Sequence, residues 1–411
     1  MSSQIAVGPF RAISGRSVMA AVREDSTTFG LDGSHSLSFD RAGRLIRAFW
    51  EARSIRRSLD NRFIEKRRAG SYPWSYVRRQ LDSPERLALL GTITQELSAI
   101  QASLAGLESS HAGPHAGELR ARLKDILSWN PEALEADGVR FRSVYLPVPI
   151  LPPDQYRALV VQLTEGCSYN RCTFCKFYRD RPFRVKSPEE LRAHIRGIRD
   201  FFGEGLRLRK SVFLADANAM VLPPSRLDEA FAILHEALPL ESGDLRGVYS
   251  FIDAFSGMPR TSDHFRRLAN RGLRRVYLGL ESGCDDLVRF LNKPATAGEA
   301  RELVQQLKAA GVHVGVIVMV GIGGDRYAER HVADTLATVN AMHLDAQDIL
   351  YLSPLATDPE SPYRQQEREA GIRSLSDAET DVQLRTLKSG LQFDPRNRPK
   401  VAIYDIRDFI Y

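Results

Sequence analysis

From residue 158 onward the chain alternates short apolar runs with amphipathic segments, and this alternation is the strongest constraint on its fold. The apolar runs predict strands at 158–164, 211–214, 247–252, 275–280, 312–320 and 348–353. Helical spacing predicts helices from Ser187, at 226–238 and 261–269, from Thr296, and at 327–342 and 376–387. Such βα units form a parallel sheet with right-handed crossovers, and six are fewer than the eight that close a full barrel. We therefore expect an α/β fold with a partial (β/α)6 TIM-like barrel over residues 144–390.

The rest of the chain is expected to form an N-terminal α-helical accessory region. Ser83-Pro84-Glu85 begins a long helix, and Leu45, Phe49 and Ile55 suggest an earlier one over 41–59. We expect residues 1–34 to form an N-terminal segment of uncertain structure and residues 35–108 to form the helical accessory region. Residues 109–143 are expected to form a linker with a helix, and residues 391–411 a C-terminal tail that packs on the barrel.

Three of the four cysteines lie within nine residues, in the spacing C-x4-C-x2-C. They are Cys167, Cys172 and Cys175, and the fourth is the distant Cys284. Three thiolates of one loop can hold a [4Fe–4S] cluster and leave its fourth iron open to a ligand that is not protein. A structural zinc site would need a fourth ligand, commonly from a second spaced pair, and inert thiols are the third interpretation.

Polar and glycine-rich segments follow the predicted strands one after another. The cysteine loop follows the first strand, Asp216-Ala217-Asn218 the second, and Asp253 the third. Gly279-Leu280-Glu281-Ser282-Gly283 closes the fourth strand, and Gly321-Ile322-Gly323-Gly324-Asp325 closes the fifth. Barrel enzymes build their sites at these carboxyl ends of strands, so we expect the segments to converge there.

These segments, between about residues 144 and 363, resemble the motifs of the radical S-adenosylmethionine (SAM) enzymes. Cysteine loops of the type Thr-Glu-Gly-Cys…Cys-Thr-Phe-Cys occur in a subset of that superfamily, whose commonest spacing is one residue shorter. Gly279-Leu280-Glu281-Ser282-Gly283 resembles the superfamily's strand-four motif, and Val320-Gly321-Ile322-Gly323 its strand-five motif.

The resemblance implies two cofactors and their ligands. Cys167, Cys172 and Cys175 are expected to hold a [4Fe–4S] cluster. SAM is expected to contact Phe174 with its adenine, Asp216 and Asn218 with its amino group, and Glu281 and Ser282 with its ribose and amino-acid part. The catalytic residues are not indicated.

The resemblance also implies the chemistry and a partner. Reductive cleavage of SAM would produce a 5′-deoxyadenosyl radical that takes hydrogen from an unknown substrate, and cleavage of a different C–S bond would give an aminocarboxypropyl radical. An electron donor such as flavodoxin or ferredoxin is expected. The alternative from another class is a non-enzymatic iron–sulfur or zinc protein that binds nucleic acid.

Residues 40–80 carry 12 basic and four acidic side chains, an excess that exceeds the net charge of +6 for the whole chain. A nucleic-acid partner is one interpretation. The favoured interpretation is a solvated helix whose arginine stems cover apolar neighbours, with Trp74 and Tyr76 set apart by Pro73.

No apolar run approaches the length that crosses a bilayer, and the N-terminus lacks a secretory signal pattern. The few cysteines do not indicate a disulfide framework. We expect a soluble, cytoplasmic protein without a membrane partner.

Overall fold

The N-terminal part of the chain is a β-sheet. The computed structural model describes residues 5–105, 115–240, 243–255 and 261–411. In residues 5–80 the chain forms an antiparallel sheet whose strand order follows the sequence. Its strands are β1 (Ile5–Arg11), β2 (Ser17–Val22), β3 (Ser26–Leu31), β4 (His35–Asp40), β5 (Leu45–Trp50), β6 (Arg53–Arg57), β7 (Phe63–Arg68) and β8 (Tyr76–Gln80).

The prediction of an α-helical region from residue 35 is therefore wrong up to residue 80. In β5 the side chains of Ala48 and Trp50 are buried while Arg47 and Phe49 are exposed, which is the two-residue period of a strand. Leu45, Phe49 and Ile55 thus do not share one helical face. Asp32 and Gly33, both at positive φ between β3 and β4, are a hairpin signal that the sequence interpretation overlooked.

Three helices follow the N-terminal sheet, and the first was predicted correctly from Ser83. They are α1 (Ser83–Ala105), α2 (Ala116–Leu127) and α3 (Pro131–Val144), so the region 109–143 contains two helices rather than one. Residues 109–114 of the expected linker, like 106–108, lie outside the described residues. Phe29 and Leu37 of the sheet form one apolar core with Ile93, Leu97 and Leu123 of the helices.

The second part of the chain is an α/β unit around a parallel sheet, as predicted. The sheet order is β17-β16-β15-β14-β13-β12-β9, and each neighbouring pair is parallel. Within the described residues its two edge strands, β9 and β17, do not pair with each other, so no closed barrel forms. The strands are β9 (Ala158–Gln162), β12 (Ser211–Ala215), β13 (Val248–Ile252), β14 (Leu273–Glu281), β15 (His313–Val320), β16 (Ile349–Pro354) and β17 (Lys400–Ile403).

Helices connect the parallel strands and cover the sheet. Every residue of β9, β12 and β16 is buried, as expected of strands covered on both faces. Ser187 and Thr296 form the capping boxes that the sequence predicts. The helices are α4 (Pro188–Phe202), α5 (Pro224–Ala237), α6 (Ser262–Asn270), α7 (Asp285–Phe290), α8 (Ala297–Ala309), α9 (Gly324–Asn340), α10 (Pro362–Glu369) and α11 (Asp377–Gly390).

The C-terminal segment packs on the α/β unit, as predicted, but it also contributes the edge strand β17. The Tyr404 hydroxyl donates to the Leu151 carbonyl at 2.8 Å, and the Tyr411 hydroxyl accepts from the Val160 amide at 2.9 Å. Both tyrosines belong to the main apolar core. The unit predicted to end at residue 390 therefore extends through the tail.

No helix among the described residues combines the length and the apolar character needed to cross a membrane.

A buried ionic cluster joins the N-terminal sheet to the α/β unit. Asp137 of α3 accepts hydrogen bonds from Arg44 and Arg57, each at 3.1 Å. Arg44 also donates to the carbonyls of Phe201 and Phe202 at the end of α4. The side chain of Asp137 is fully buried, so it is the counter-ion for two desolvated guanidinium groups.

We predict that Asp137→Ala lowers the free energy of unfolding by about 3–5 kcal/mol, because buried Arg57 loses its carboxylate and Arg44 keeps only Asp40, 3.5 Å away. Urea unfolding followed by circular dichroism measures the change. Glu135→Ala is the matched control, since Glu135 lies on the same helix with its side chain 51% exposed. Its expected cost is under about 1 kcal/mol. Equal losses in the two variants would contradict this role for Asp137.

Candidate active site around the cysteine loop

The cysteine loop, residues 166–183, is closed at its base by two short strands. The strands β10 (Thr164–Glu165) and β11 (Arg184–Val185) pair antiparallel. Glu165 accepts a hydrogen bond from Arg184 at 2.8 Å and also pairs with Lys186. These cations lower the pKa of Glu165 to about 2, with the Arg184 hydrogen bond as the main cause. The base of the loop is thus held by charge as well as by backbone pairing.

Asp216, at the end of β12, holds the first residue of the loop. One carboxylate oxygen accepts from the Gly166 amide at 2.9 Å and the other from the Gln162 side chain at 2.9 Å. Gly166 has φ +74°, and a Cβ there would lie 2.7 Å from the Pro182 carbonyl oxygen, so this position requires glycine. Asp216 is 1% exposed, and burial raises its pKa. The predicted contact of Asp216 with SAM stays a prediction. In the structure its carboxylate is hydrogen-bonded to the Gly166 amide of the cysteine loop.

The three cysteines lie on this one loop and are partly buried. The Cys175 amide donates to the Cys172 carbonyl at 3.3 Å, and the Asn170 amide donates to Cys167 Sγ at 3.3 Å. Burial raises the pKa of Cys172 to about 12 and that of Cys175 to about 11, and the charges of the other loop cysteines contribute in the same direction. The thiols are therefore close enough to influence one another.

The donor chemistry of the loop fits an iron–sulfur cluster. It offers three sulfur ligands on a single loop, and cluster irons are held by cysteine thiolates. Within the described residues, no three His, Cys, Asp or Glu side chains form a group compact enough for a single metal ion.

Glu281, predicted as a site residue, forms a buried ion pair with Lys293. Its Oε1 accepts from Lys293 Nζ at 2.8 Å, and Nζ also donates to the Gly279 carbonyl at 2.5 Å. Both side chains are close to fully buried. Glu281 has φ +61° at an irregularity in the pairing of β14 with β15, a strained backbone of the kind found at functional sites.

Lys293 connects the strand ends with the cysteine loop, and the sequence analysis missed it. Burial alone would lower its pKa, but Glu281, then Cys172 and Asp253, raise it above the ordinary value. Lysine after a short helix is usually a surface residue, so nothing in the local sequence marked it. Its position is fixed by its hydrogen bonds to Glu281 and to the Gly279 carbonyl at the end of β14.

Asn218, the other predicted residue after β12, lies beside the end of β13. Its side-chain amide donates to Asp253 Oδ2 at 2.8 Å. This bond joins the residues that follow β12 and β13, and β13 pairs with β14, so the ends of the three strands lie side by side as the strand order predicts. Cys172, Asn218, Asp253, Glu281 and Lys293 therefore surround one end of the parallel sheet.

Ser282 is fully buried and is turned towards α9. The His331 Nε2–H donates to the Met319 carbonyl at 2.9 Å, so neutral His331 accepts at Nδ1 from the Ser282 hydroxyl at 2.8 Å. The same hydroxyl oxygen accepts from the Cys284 amide at 3.0 Å. The predicted contact of Ser282 with SAM stays a prediction, and the structure shows it fixing the backbone that follows Glu281.

Phe174 packs its ring beside the motifs rather than into solvent. It lies against an apolar cluster that contains Cys284, Leu291 and Tyr363. The neighbouring Thr173 amide donates to the Leu291 carbonyl at 3.1 Å. This attaches the cysteine loop to the segment that leads to Lys293.

Comparison with known proteins identifies the class to which this site belongs. Residues 161–336 match the sequence description of the Radical SAM superfamily. That stretch includes the cysteine loop, Asp216, Asn218, Glu281 and Lys293. Residues 161–336 thus carry a radical SAM domain. No curated protein matches it.

Solved structures with a similar fold include several radical SAM enzymes. Coproporphyrinogen III oxidase HemN from Escherichia coli is 15% identical over 64% of this chain and 56% of its own, with a TM-score of 0.43. Methylornithine synthase PylB is 18% identical over 66% of this chain and 74% of its own, at 0.39. SuiB from Streptococcus suis is 12% identical over 86% and 71%, at 0.39. This chain thus spans about half the length of HemN, and the family assignment rests on the sequence match alone.

We predict that two buried histidines make the protein less stable in mild acid. Burial lowers the pKa of His331 and of His194 from 6.5 to about 4. The unfolded chain therefore binds protons that the folded chain does not, and stability falls as the pH drops from about 6.5 to about 4. The loss is at most about 3 kcal/mol per histidine, and it is absent above pH 6.5.

Urea unfolding between pH 4 and 8 measures this effect. His331→Asn should flatten the acid limb of the stability curve, whereas replacement of the exposed His343 should leave it unchanged. An acid limb of the same slope in His331→Asn would show that this histidine is not responsible.

Proposed function

We propose that this enzyme holds a [4Fe–4S] cluster on Cys167, Cys172 and Cys175 and uses it to cleave SAM reductively. When bound, the two cofactors would supply a 5′-deoxyadenosyl radical that abstracts hydrogen from the substrate. The observation that carries the proposal is the convergence of the three-cysteine loop with the buried Glu281–Lys293 pair at the strand ends. A purely binding role for the loop is not proposed, because the matched domain is that of an enzyme superfamily.

The charges around the loop suit the polar groups of SAM. Lys293 is a buried cation beside Cys172 and would pair with the SAM carboxylate. Asn218, next to Asp253, would contact the amino group, and Glu281 would accept from the ribose hydroxyls. Phe174, which directly precedes Cys175, would pack against the adenine.

Asp216 and Ser282 would act through the backbone. Asp216 holds the Gly166 amide, which sets the direction in which the chain enters the cysteine turn. Ser282, fixed by His331, holds the backbone beside Glu281. In this proposal both are positioning residues, and the contacts with SAM come from Phe174, Asn218, Glu281 and Lys293.

The surroundings of the site support three further parts of the proposal. The parallel strands lie side by side in the order in which they occur along the chain. This order is consistent with a sheet that curves into a partial (β/α)6-type barrel, with the site at the carboxyl ends of the strands. Exposed Arg171 and Arg179 on the cysteine loop suit an acidic electron donor such as flavodoxin or ferredoxin. An oxygen-sensitive cluster suits a reducing cytoplasm.

We predict that anaerobically reconstituted protein contains four irons and four sulfides per chain. Cys172→Ala and Cys175→Ala should lose most of the iron, because each removes a thiolate ligand. Cys284→Ala is the control, since Cys284 lies in the apolar cluster with Leu287 and Tyr363 and should keep full iron content. With dithionite, the wild-type protein should convert SAM to methionine and 5′-deoxyadenosine, separated by mass.

Two results would contradict this assignment. Stoichiometric zinc without uptake of iron and sulfide would replace the cluster by a zinc site. Formation of 5′-methylthioadenosine instead of 5′-deoxyadenosine would show that the aminocarboxypropyl bond is the one that breaks.

We predict that Glu281→Ala weakens SAM binding by about 1–3 kcal/mol, the cost of removing one buried hydrogen-bonding partner. Lys293→Met should weaken it to a similar extent, and Lys293→Arg should restore part of the affinity by keeping the cation. Isothermal titration calorimetry on the reconstituted protein measures each value.

Glu302→Ala on the exposed face of α8 is the matched control and should bind SAM normally. Iron content is measured for every variant, so that lost affinity is separated from a lost cluster. Unchanged affinity in iron-loaded Glu281→Ala would remove Glu281 from the SAM site.

A further inference from the structure

One face of the N-terminal sheet collects basic and aromatic side chains from strands β5 to β8. Directly opposed residues of antiparallel strands share a face, and so do residues two apart on one strand. The pairs Arg47 with Arg56, Lys66 with Arg78, and Arg68 with Tyr76 therefore lie together. We call this surface the basic sheet face; it consists of Arg47, Phe49, Arg56, Lys66, Arg68, Tyr76 and Arg78. The opposite face packs against α1 and α2.

The charges on this face are not balanced. Strands β5–β8 contribute no acidic side chain to it, since their carboxylate, Glu65, lies on the opposite face and is buried. The C-terminal tail supplies Asp408, which pairs with Lys66 at 2.6 Å. Arg47 lies directly opposite Arg56, an arrangement of like charges that destabilises a sheet.

Among the described residues the arginines of this face form no ion pair, although Arg68 donates to the carbonyls of Gly70 and Ser71. Arg56 donates to the Asp408 carbonyl at 3.2 Å, and its pKa is lowered by burial and then by the charges of Arg78 and Arg47. Arg78 Nε is buried and has no hydrogen-bond partner in the described part of the chain. An anion beside the exposed Arg47 would relieve its repulsion with Arg56.

Aromatic side chains are interleaved with these cations. Phe49 is 40% exposed and lies two residues from Arg47 on the same face. Lys66 Nζ lies 3.7 Å from the centre of the Tyr76 ring. The helix predicted from the sequence would place Tyr76 apart from the basic side chains. In the sheet, Tyr76 instead lies opposite Arg68, among the cations.

We propose that the basic sheet face binds single-stranded nucleic acid, with phosphates on Arg47, Arg56 and Arg78 and a base stacked on Phe49. Neighbouring strands are ~4.8 Å apart, so the face from β5 to β8 is ~14 Å wide, enough for a few nucleotides. A positively charged track with exposed rings is the usual surface for single strands. The face belongs to the accessory sheet, and the proposal does not depend on the proposed function of the cysteine loop.

The test is fluorescence anisotropy of the full chain with labelled 12-nucleotide RNA and DNA single strands at several salt concentrations. Wild-type protein should bind both at low salt, with affinity falling as salt increases. Arg47→Ala should reduce the salt slope by about 1, as expected for one lost phosphate contact. Phe49→Ala should weaken binding by roughly 5- to 100-fold through lost stacking.

Two exposed residues away from the face provide matched controls. Arg301→Ala on α8 removes one exposed arginine, and Leu87→Ala on α1 removes an apolar side chain that is 48% exposed. Both should bind as the wild type does. Absence of binding at low salt, equal losses in the face variants and their controls, or equal affinity for a duplex would each overturn the proposal. Thermal unfolding of every variant shows that the fold is intact.

Discussion

The buried ion pair between Glu281 and Lys293 is the interaction on which the arrangement of the site depends. Two charges withdrawn from water are tolerated only when they are paired and hydrogen-bonded. Here the lysine is bonded to both the Glu281 carboxylate and the Gly279 carbonyl. The pair therefore holds the end of β14 in its left-handed conformation and keeps a cation beside the cysteine loop. Without it, the strand end and the loop would have no electrostatic connection.

Around this pair the protein uses its own polar groups to fix backbone rather than to line a cleft. Asp216 is committed to Gly166, and His331 is committed to Ser282 and the Met319 carbonyl. Each of these side chains is deeply buried. A buried polar group without a hydrogen-bond partner would destabilise the folded state, so these hydrogen bonds contribute to stability. Residues adjacent in sequence thus have different partners: Glu281 pairs with Lys293, and Ser282 with His331.

The N-terminal sheet is attached to the α/β unit by the cluster of Asp137, Arg44 and Arg57. Arg44 reaches the carbonyls at the end of α4, so it caps a helix of the α/β unit from the accessory sheet. This use of arginines accounts for part of the basic excess of residues 40–80. Other basic side chains of the same stretch point away from the buried cluster and form the basic sheet face. One stretch of sequence thus serves a structural role on one face and presents unbalanced charge on the other.

By itself the sequence determined six of the seven parallel strands and six helices from residue 158 onward, because buried parallel strands and capped helices have strong local signals. It did not indicate β17, α7 or α10. It also identified the cysteines and the strand-end motifs, since the spacing of Cys167, Cys172 and Cys175 and the glycines around Glu281 are local features. It did not determine the N-terminal sheet, where Leu45, Phe49 and Ile55 matched a helical period by coincidence and strand pairing depends on distant partners. Nor could it find Lys293, or the hydrogen bonds that join Asp216 to Gly166 and Ser282 to His331. Those placements were decided by tertiary packing, because burial and hydrogen bonding join residues such as Ser282 and His331 that are far apart along the chain.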